Sequence, residues 1–247
     1  MTYTGLFRMW ATLLAAILAA ILISIAAFTT GAGAQEQPCS GKVVLDPGHG
    51  GTDWGAVKET HLGLITEKEQ TLDVANKLKG LLVDDGCTVY MTRTTDQNLT
   101  NTQRANKANS FKANYPGEYV LVSIHMNGST DEMVDYTTTL FGKWRKDKEL
   151  AYAVFGDNVR PPKINPPTYG LRTLSAANDT GTIATKAPYS YASGVLLKSN
   201  MPATIAETVF ITNTDEANEL ADPTTYGRQQ EIAEALRSGI EHYLATH

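Results

Sequence analysis

Short apolar runs that end at glycine, proline or polar residues recur along the chain. They lie at residues 43–45, 88–92, 119–124, 136–141 and 201–207. Such runs, bounded by turn-forming residues, are typical of buried β-strands. The run at 119–124 is the most continuous of them and gives the strongest strand signal.

Segments with apolar residues at helical spacing alternate with these runs. The first begins at Thr66, which has Glu69 three residues later at the spacing of a capping box, and it ends at Asp85 and Gly86. Three more helices are predicted over residues 101–114, 147–156 and 225–244. Strands that alternate with helices predict an α/β fold with a mostly parallel, twisted sheet and helices on both faces.

One region of the sequence has no clear pattern. Residues 161–167 contain four prolines, which predict a loop. Residues 175–191 are rich in serine, threonine, alanine and glycine and show neither helical nor strand periodicity. The sequence therefore leaves open whether residues 136–191 contain a regulatory helix or loop.

An uncharged apolar segment at residues 9–28 follows Arg8. The tripeptide at 32–34 (AGA) has the small-x-small pattern of a signal-peptidase site. Residues 1–34 are therefore predicted to be a signal peptide and residues 35–247 a single catalytic domain. The alternative is an N-terminal membrane anchor that is not cleaved, because about 20 apolar residues can span a bilayer. In both cases we expect the domain to be exported, as a periplasmic, cell-wall-associated or extracellular protein.

The charge balance limits the range of partners. Residues 1–34 hold one of the 21 basic residues and none of the 26 acidic ones, so the exported part has 20 basic and 26 acidic residues and a formal net charge of −6. Nucleic-acid binding requires a basic face and is therefore not expected. Membrane attachment is expected only through residues 9–28, if they are retained.

Two cysteines, Cys39 and Cys87, lie just before the apolar runs at 43–45 and 88–92. If those two strands are parallel neighbours, both cysteines lie at the amino-terminal edge of the sheet. Export permits a disulfide, and closing a loop of this length contributes about 4 kcal/mol in the chain-entropy model, less any strain. The alternative is a pair of free thiols.

Four side chains suited to metal binding or proton transfer lie where the predicted elements reach one edge of the sheet. They are His49, Glu67, His125 and Glu207. The two histidines and Glu207 each follow an apolar run, and Glu67 opens the first helix. The carboxyl ends of parallel strands share one edge, and ligands bind there in open α/β sheets. We therefore expect these four side chains to converge.

Each of these residues also has an ordinary explanation. A histidine after a strand is commonly a hydrogen-bonded turn residue, Glu67 is an acid favoured by the helix dipole, and Glu207 is an edge carboxylate. Taken together, two imidazoles and one carboxylate, with a fourth position left to water, match a catalytic zinc site. A carboxylate that does not bind the metal can then transfer protons. Asp46 is predicted either to orient His49 or to cap the turn.

Five blocks of the sequence carry a resemblance to a known family. They are residues 43–56 (VVLDPGHGGTDWGA), 67–75 (EKEQTLDVA), 91–96 (MTRTTD), 122–127 (VSIHMN) and 202–213 (PATIAETVFITN). In this order they resemble the zinc-dependent N-acetylmuramoyl-L-alanine amidase family. The blocks extend over nearly the whole exported part, and five in order are far more specific than any one alone. The resemblance implies a fold of the phosphorylase/hydrolase-like type.

The resemblance also implies roles for individual residues. His49, Glu67 and His125 match the family's zinc ligands, and Glu207 matches its catalytic carboxylate. Glu69 is a competing candidate, but Glu67 is the better match because a lysine directly follows it. The implied reaction is hydrolysis of the amide between the lactyl group of N-acetylmuramic acid and the L-alanine of the stem peptide. The implied substrate is peptidoglycan, and we expect the enzyme to be a monomer.

Two alternative functions remain open at the level of the sequence. One is a different zinc-dependent amide hydrolase or peptidase of the cell wall. The other is a catalytically silent, zinc-containing module that binds the wall. The presence of Glu207 beside the complete set of ligands favours an enzyme. The biological setting, whether cell separation, sporulation or lysis, is not indicated by the residues.

Overall fold

The structure is a computed structural model that describes residue 39 and residues 41–156, 168–174, 184–185, 189–191, 194–223 and 227–247. The predicted signal peptide or anchor at 1–34 and the predicted loop at 161–167 lie outside these residues. No helix in the described ranges has both the length and the apolar character needed to cross a bilayer.

The described strands form one large sheet and one hairpin. They are β1 (Lys42–Pro47), β2 (Val57–Thr60), β3 (Gly63–Thr66), β4 (Thr88–Met91), β5 (Tyr119–Asn127), β6 (Tyr136–Phe141), β7 (Ala184–Thr185), β8 (Tyr189–Ser190) and β9 (Ala203–Phe210). The sheet has the order β4–β1–β5–β9–β6–β7, with β8 also paired to β6, while β2 and β3 form the hairpin. Neighbours from β4 to β9 are parallel, and β6 is antiparallel to β9. The predicted, mostly parallel sheet is confirmed.

Helices lie on both faces of this sheet, as predicted. They are α1 (Glu67–Asp84), α2 (Asn101–Asn114), α3 (Arg145–Phe155), α4 (Gly194–Lys198), α5 (Thr214–Ala221) and α6 (Arg228–Thr246), with a 3₁₀ turn at Leu171–Thr173. Helices α1, α3 and α6 pack on one face, in a core that also contains Val43 and Leu45 of β1. Helices α2 and α4 pack on the other face, in a second core that also contains Val44. Burial on both faces explains why the strands are continuous apolar runs in the sequence.

Helix α1 begins where the sequence predicts, with Thr66 at the N-cap, but the predicted capping box is wrong. The Thr66 hydroxyl makes no hydrogen bond to the helix backbone and instead donates to Glu69 Oε2 at 2.8 Å. A charged carboxylate is a strong acceptor for a hydroxyl donor. A capping box is present instead at the start of α2, between Thr100 and Gln103.

Cys39 and Cys87 form a disulfide with a Cα–Cα distance of 4.8 Å. Because β1 and β4 are parallel neighbours, both cysteines lie at the amino-terminal edge of the sheet, as predicted. The bond closes the βαβ unit that contains α1. All described residues fall within one compact unit, residues 38–247.

Candidate metal centre

Three of the predicted site residues, His49, Glu67 and His125, come together at the carboxyl ends of β1 and β5. One potential ligand atom from each lies within 4.8 Å of the others. The Oε1 atom of Glu67 is 3.1 Å from His49 Nε2 and 3.1 Å from His125 Nδ1. Two imidazole nitrogens and one carboxylate in such proximity have the chemistry of a catalytic zinc site that keeps one position open.

Two backbone N–H groups also hold the carboxylate of Glu67. Its Oε2 accepts the backbone N–H of Ala56 at 2.9 Å, and its Oε1 accepts that of Met126 at 3.0 Å. Burial raises the pKa of Glu67, but hydrogen bonds and charge from His125 and His49 outweigh it and lower the pKa to about 2. Glu67 is therefore ionised and oriented, as a metal ligand requires.

His49 has an unusual backbone conformation. Its φ is 56°, and it is the one non-glycine residue with positive φ among the described residues. Such a conformation costs about 1–3 kcal/mol and is typical of functional sites. Its Nδ1 lies 2.9 Å from Asp53 Oδ1, although the two atoms are not aligned as a hydrogen bond. Burial lowers the pKa of His49, but Glu67 and then Asp53 outweigh it and raise the pKa to about 9.

His125 and Glu207 are direct partners in the parallel ladder between β5 and β9. Their side chains therefore lie on the same face of the sheet, on strands about 4.8 Å apart. The prediction that both residues follow their strands is wrong, because β5 continues to Asn127 and β9 to Phe210. Backbone pairing extends through these polar residues because the ladder does not depend on apolar side chains.

An irregularity in the ladder begins directly after this pair. On β5 the register moves from His125 to Asn127, while on β9 it moves from Glu207 to Phe210. The hydroxyl of Thr208, inside the irregular segment, donates to the carbonyl of His125 at 3.2 Å. A bulge of this kind bends the strand and redirects side chains beside active sites.

Glu207 lies outside the three-residue cluster, although it is close to it. Burial raises the pKa of its carboxyl, and Glu67 adds to this, while the charge of His125 opposes it. The pKa of His125 is affected in turn by Glu207. Burial lowers the pKa of His125, but the interactions with Glu67 and Glu207 outweigh burial and raise this pKa. The structure thus brings all four predicted residues to one edge of the sheet.

The structure gives Asp46 a role that differs from both predicted ones. Its carboxylate is fully buried and accepts hydrogen bonds from Thr92, Arg104 and Ser123. Asp53, which is not among the predicted site residues, lies beside the His49 ring instead. The sequence feature that could have indicated this contact is the position of Asp53, four residues after His49 in a glycine-rich turn.

Two buried arginines next to the site were also not identified from the sequence. Arg104 lies on the same side of α2 as the buried Ala105 and Ala108, and Arg93 comes two residues after β4. An arginine on the apolar side of a helix is a visible signal of a buried polar contact. Both arginines bind backbone carbonyls of the loop that carries His49.

Comparison with known proteins identifies the family. The family described as N-acetylmuramoyl-L-alanine amidase matches residues 43–242. The chain belongs to this family. This confirms the resemblance carried by the five sequence blocks and the enzyme class that it implied.

Relatives and solved structures agree with this assignment. The germination-specific N-acetylmuramoyl-L-alanine amidase of Bacillus subtilis is 29% identical over 218 residues, which are 83% of this chain and 81% of the relative. The probable cell wall amidase LytH of Staphylococcus saprophyticus is 32% identical over 198 residues, which are 79% of this chain but 57% of the relative.

Among solved structures, an N-acetylmuramoyl-L-alanine amidase from Clostridium difficile 630 is similar with a TM-score of 0.66 and 27% identity. The match covers 84% of this chain and 98% of that one. The catalytic domain of CwlV from Bacillus (Paenibacillus) polymyxa var. colistinus gives a TM-score of 0.65 at 25% identity, with 84% and 99% covered. These similarities confirm the predicted fold class.

Proposed function

We propose that this protein is an exported, zinc-dependent amidase that hydrolyses the amide between the lactyl group of N-acetylmuramic acid and the L-alanine of the stem peptide. The observation that carries the proposal is the convergence of His49, Glu67 and His125 at one edge of the sheet, with Glu207 beside His125. Membership of the amidase family supports peptidoglycan as the substrate.

The donor set fits zinc. Imidazole nitrogen and carboxylate oxygen are ordinary zinc ligands, and three protein donors are the number found in hydrolytic sites. His49, Glu67 and His125 would hold the ion. When bound, zinc would supply the chemistry of a Lewis acid, making hydroxide available near neutral pH and polarising a carbonyl.

Glu207 is proposed to move the protons of the reaction. It takes a proton from the attacking water and gives one to the nitrogen of L-alanine as the C–N bond breaks. Burial raises the pKa of its carboxyl, which favours a group that both accepts and releases a proton. Its place beside His125, on the same face of the sheet, puts it next to the proposed zinc ligands.

Export is proposed on two grounds. The disulfide between Cys39 and Cys87 supports it, because such bonds persist in oxidising compartments outside the cytosol. The relatives include a probable cell wall amidase, and the cell wall lies outside the membrane. We propose residues 1–34 as a signal peptide, with an anchor through residues 9–28 as the alternative. The monomeric state stays a prediction.

The variant Glu207→Ala tests the role of the proton-transfer group. We expect hydrolysis of purified peptidoglycan to fall by about 10²- to 10⁴-fold, the range for loss of a general acid–base group. Zinc content is expected to stay that of the wild type, because Glu207 is not one of the proposed ligands. The matched control is Glu118→Ala, which removes an exposed carboxylate just before β5, at the opposite edge of the sheet. Near-normal hydrolysis by Glu207→Ala would contradict the proposed role.

Mass spectrometry of the released fragments distinguishes the amidase from its alternatives. The proposal predicts stem peptides with free L-alanine amino termini and intact glycan chains. New termini within the stem peptide would instead identify a cell-wall peptidase. Tight binding to the wall without turnover, in zinc-loaded protein, would identify a silent binding module.

A further inference from the structure

Three consecutive carbonyl groups, from the last residue of β1 onward, accept hydrogen bonds from two arginine side chains. Arg104 donates from Nη1 to the carbonyl of Pro47 and from Nη2 to that of His49, both at 2.6 Å. Arg93 donates from Nε to the carbonyl of Pro47 at 3.0 Å and from Nη2 to that of Gly48 at 2.8 Å. Both arginines thus contact the loop of residues 47–49 through its backbone.

The two guanidinium groups are buried, with Arg93 1% and Arg104 4% exposed. Asp46 balances Arg104 through an ion pair of 2.9 Å and is itself fully buried. Burial and the nearby charge of Arg104 lower the pKa of Arg93 to about 10. Two adjacent buried cations oppose folding unless their hydrogen bonds are satisfied, so they are a costly way to stabilise a protein. The cost of burying both arginines indicates that they have a role in holding the loop of residues 47–49.

The loop has a conformation that a polypeptide does not favour. His49 is in the left-handed region, where the Cβ atom of an L-residue meets the backbone. The neighbouring position is equally constrained, because a Cβ atom at Gly48 would lie 2.4 Å from the ring of His125. The conformation of this loop therefore determines the position of the His49 side chain relative to that of His125.

We propose that Arg104 is a positioning residue for zinc binding. By donating to the carbonyl of His49, it holds that residue in the left-handed conformation in which Nε2 faces Glu67. Arg93 holds the preceding peptide at Gly48 in the same way. The inference rests on the proposed function, since it takes His49 as a zinc ligand.

The test is the variant Arg104→Lys in the full 247-residue chain, purified in detergent because residues 9–28 are apolar. Lysine keeps the positive charge, but its single nitrogen cannot replace the contacts that Arg104 makes with Leu99, Pro47 and His49 together. We expect the zinc dissociation constant, measured by competition with a chromogenic chelator, to rise by about 10- to 100-fold. The visible spectrum of the cobalt-substituted protein is expected to change, because it reports ligand geometry.

The matched control is Arg228→Lys. Arg228 is also buried, but its guanidinium donates to Glu216 at 2.6 and 2.8 Å, between α5 and α6. Its loss is expected to lower stability and to leave the zinc dissociation constant and the cobalt spectrum unchanged. If Arg104→Lys does not fold, Arg93→Lys is measured in the same way, with the same expected direction.

The outcomes separate this inference from the function on which it rests. If the wild type binds zinc and the arginine variant matches it in dissociation constant and cobalt spectrum, the positioning role is overturned, even if stability falls. If Arg228→Lys weakens zinc binding as much, the effect is a general one of losing a buried arginine, and the inference also fails. A wild type that binds no zinc overturns the proposed function itself.

Discussion

Glu67 lies between the two histidines of the site, and the space around its carboxylate is filled. Its Oε1 is 3.1 Å from a ring nitrogen of His49 and of His125, and its Oε2 accepts the N–H of Ala56. A Cβ atom at Gly55 would lie 2.4 Å from Oε2 and 2.7 Å from Cδ2 of His49. The absence of a side chain at Gly55 is therefore a requirement of the site.

The variant Gly55→Ala is expected to weaken zinc binding by about 10- to 100-fold, as the loss of a supporting contact does. The new methyl group displaces Glu67, and the φ of +68° adds strain for any residue with a Cβ atom. Zinc titration of the purified variant measures the effect.

Gly63→Ala is the control for backbone strain. Gly63 also has a positive φ, +117°, but nothing lies within 4 Å of its added Cβ atom. We expect a loss of about 1–3 kcal/mol of stability with zinc binding unchanged. Equal zinc affinity in Gly55→Ala and the wild type would show that the contact with Glu67 does not matter.

Among individual residues, the sequence predicts the reactive side chains of the site better than the side chains that hold them in place. His49, Glu67, His125 and Glu207 were identifiable because the ends of parallel strands and the start of a crossover helix meet at one edge. The place of Arg104 on the apolar side of α2 indicates that it is buried, but neither its acceptors nor those of Arg93 could be predicted. Both arginines bind backbone carbonyls, and the conformation of a backbone loop cannot be read from residue spacing.

Helix α3 is linked to the sheet by a buried carboxylate. Asp147, in the first turn of α3, is 1% exposed and accepts the backbone N–H of Ala203 at the start of β9. Burial raises the pKa of Asp147 to about 6, from 3.8 in an exposed aspartate. The folded protein therefore favours the neutral acid more than the unfolded chain does, and Asp147 is ionised only above about pH 6.

This shift predicts a pH dependence of stability. Between pH 3.8 and about 6 the folded protein binds more protons at Asp147 than the unfolded chain, so stability falls as pH rises. The full contribution is about 3 kcal/mol. Asp147→Asn does not titrate, so the decrease in unfolding free energy from pH 4 to pH 6.5 in urea is expected to be smaller than in the wild type.

The control for this measurement is Asp73→Asn, which removes a half-exposed carboxylate on α1. We expect it to leave the pH dependence of the wild type within about 0.5 kcal/mol. The same decrease in Asp147→Asn as in the wild type would contradict the raised pKa of Asp147.

Among the elements, long apolar ones were predicted and short polar ones were not. Helix α6 buries Ile232, Leu236 and Ile240 at helical spacing, so its pattern is visible in the sequence. The hairpin of β2 and β3 and the helix α5 have few buried apolar residues, so they show little periodicity. The order of the strands and the antiparallel β6 depend on tertiary pairing, which the sequence pattern does not encode.

For the molecule as a whole, the disulfide and the site lie at opposite edges of the sheet. Cys39 and Cys87 join the amino-terminal ends of β1 and β4, 48 residues apart in sequence, whereas His49 follows the carboxyl end of β1. The disulfide is therefore expected to affect the stability of the protein but not its zinc binding or its catalytic activity.

The double variant Cys39→Ser/Cys87→Ser is expected to lose about 4 kcal/mol of unfolding free energy, the chain-entropy contribution of a loop of this length. Where it is still folded, it is expected to bind zinc and to hydrolyse peptidoglycan like the wild type. Urea denaturation and zinc titration at 25 °C measure both. Unchanged stability, or weaker zinc binding in folded protein, would contradict this separation of roles.

The zinc content per chain of Glu67→Gln, measured beside that of Glu69→Gln, tests the proposed metal site most directly. Both variants remove one negative charge from the first turn of α1, but Glu67 lies between the two histidines, and Glu69 is exposed and accepts the Thr66 hydroxyl. We expect one zinc per chain in the wild type and in Glu69→Gln, and a large loss of zinc in Glu67→Gln. Equal zinc content in the two variants, or a loss confined to Glu69→Gln, would contradict the proposed metal site.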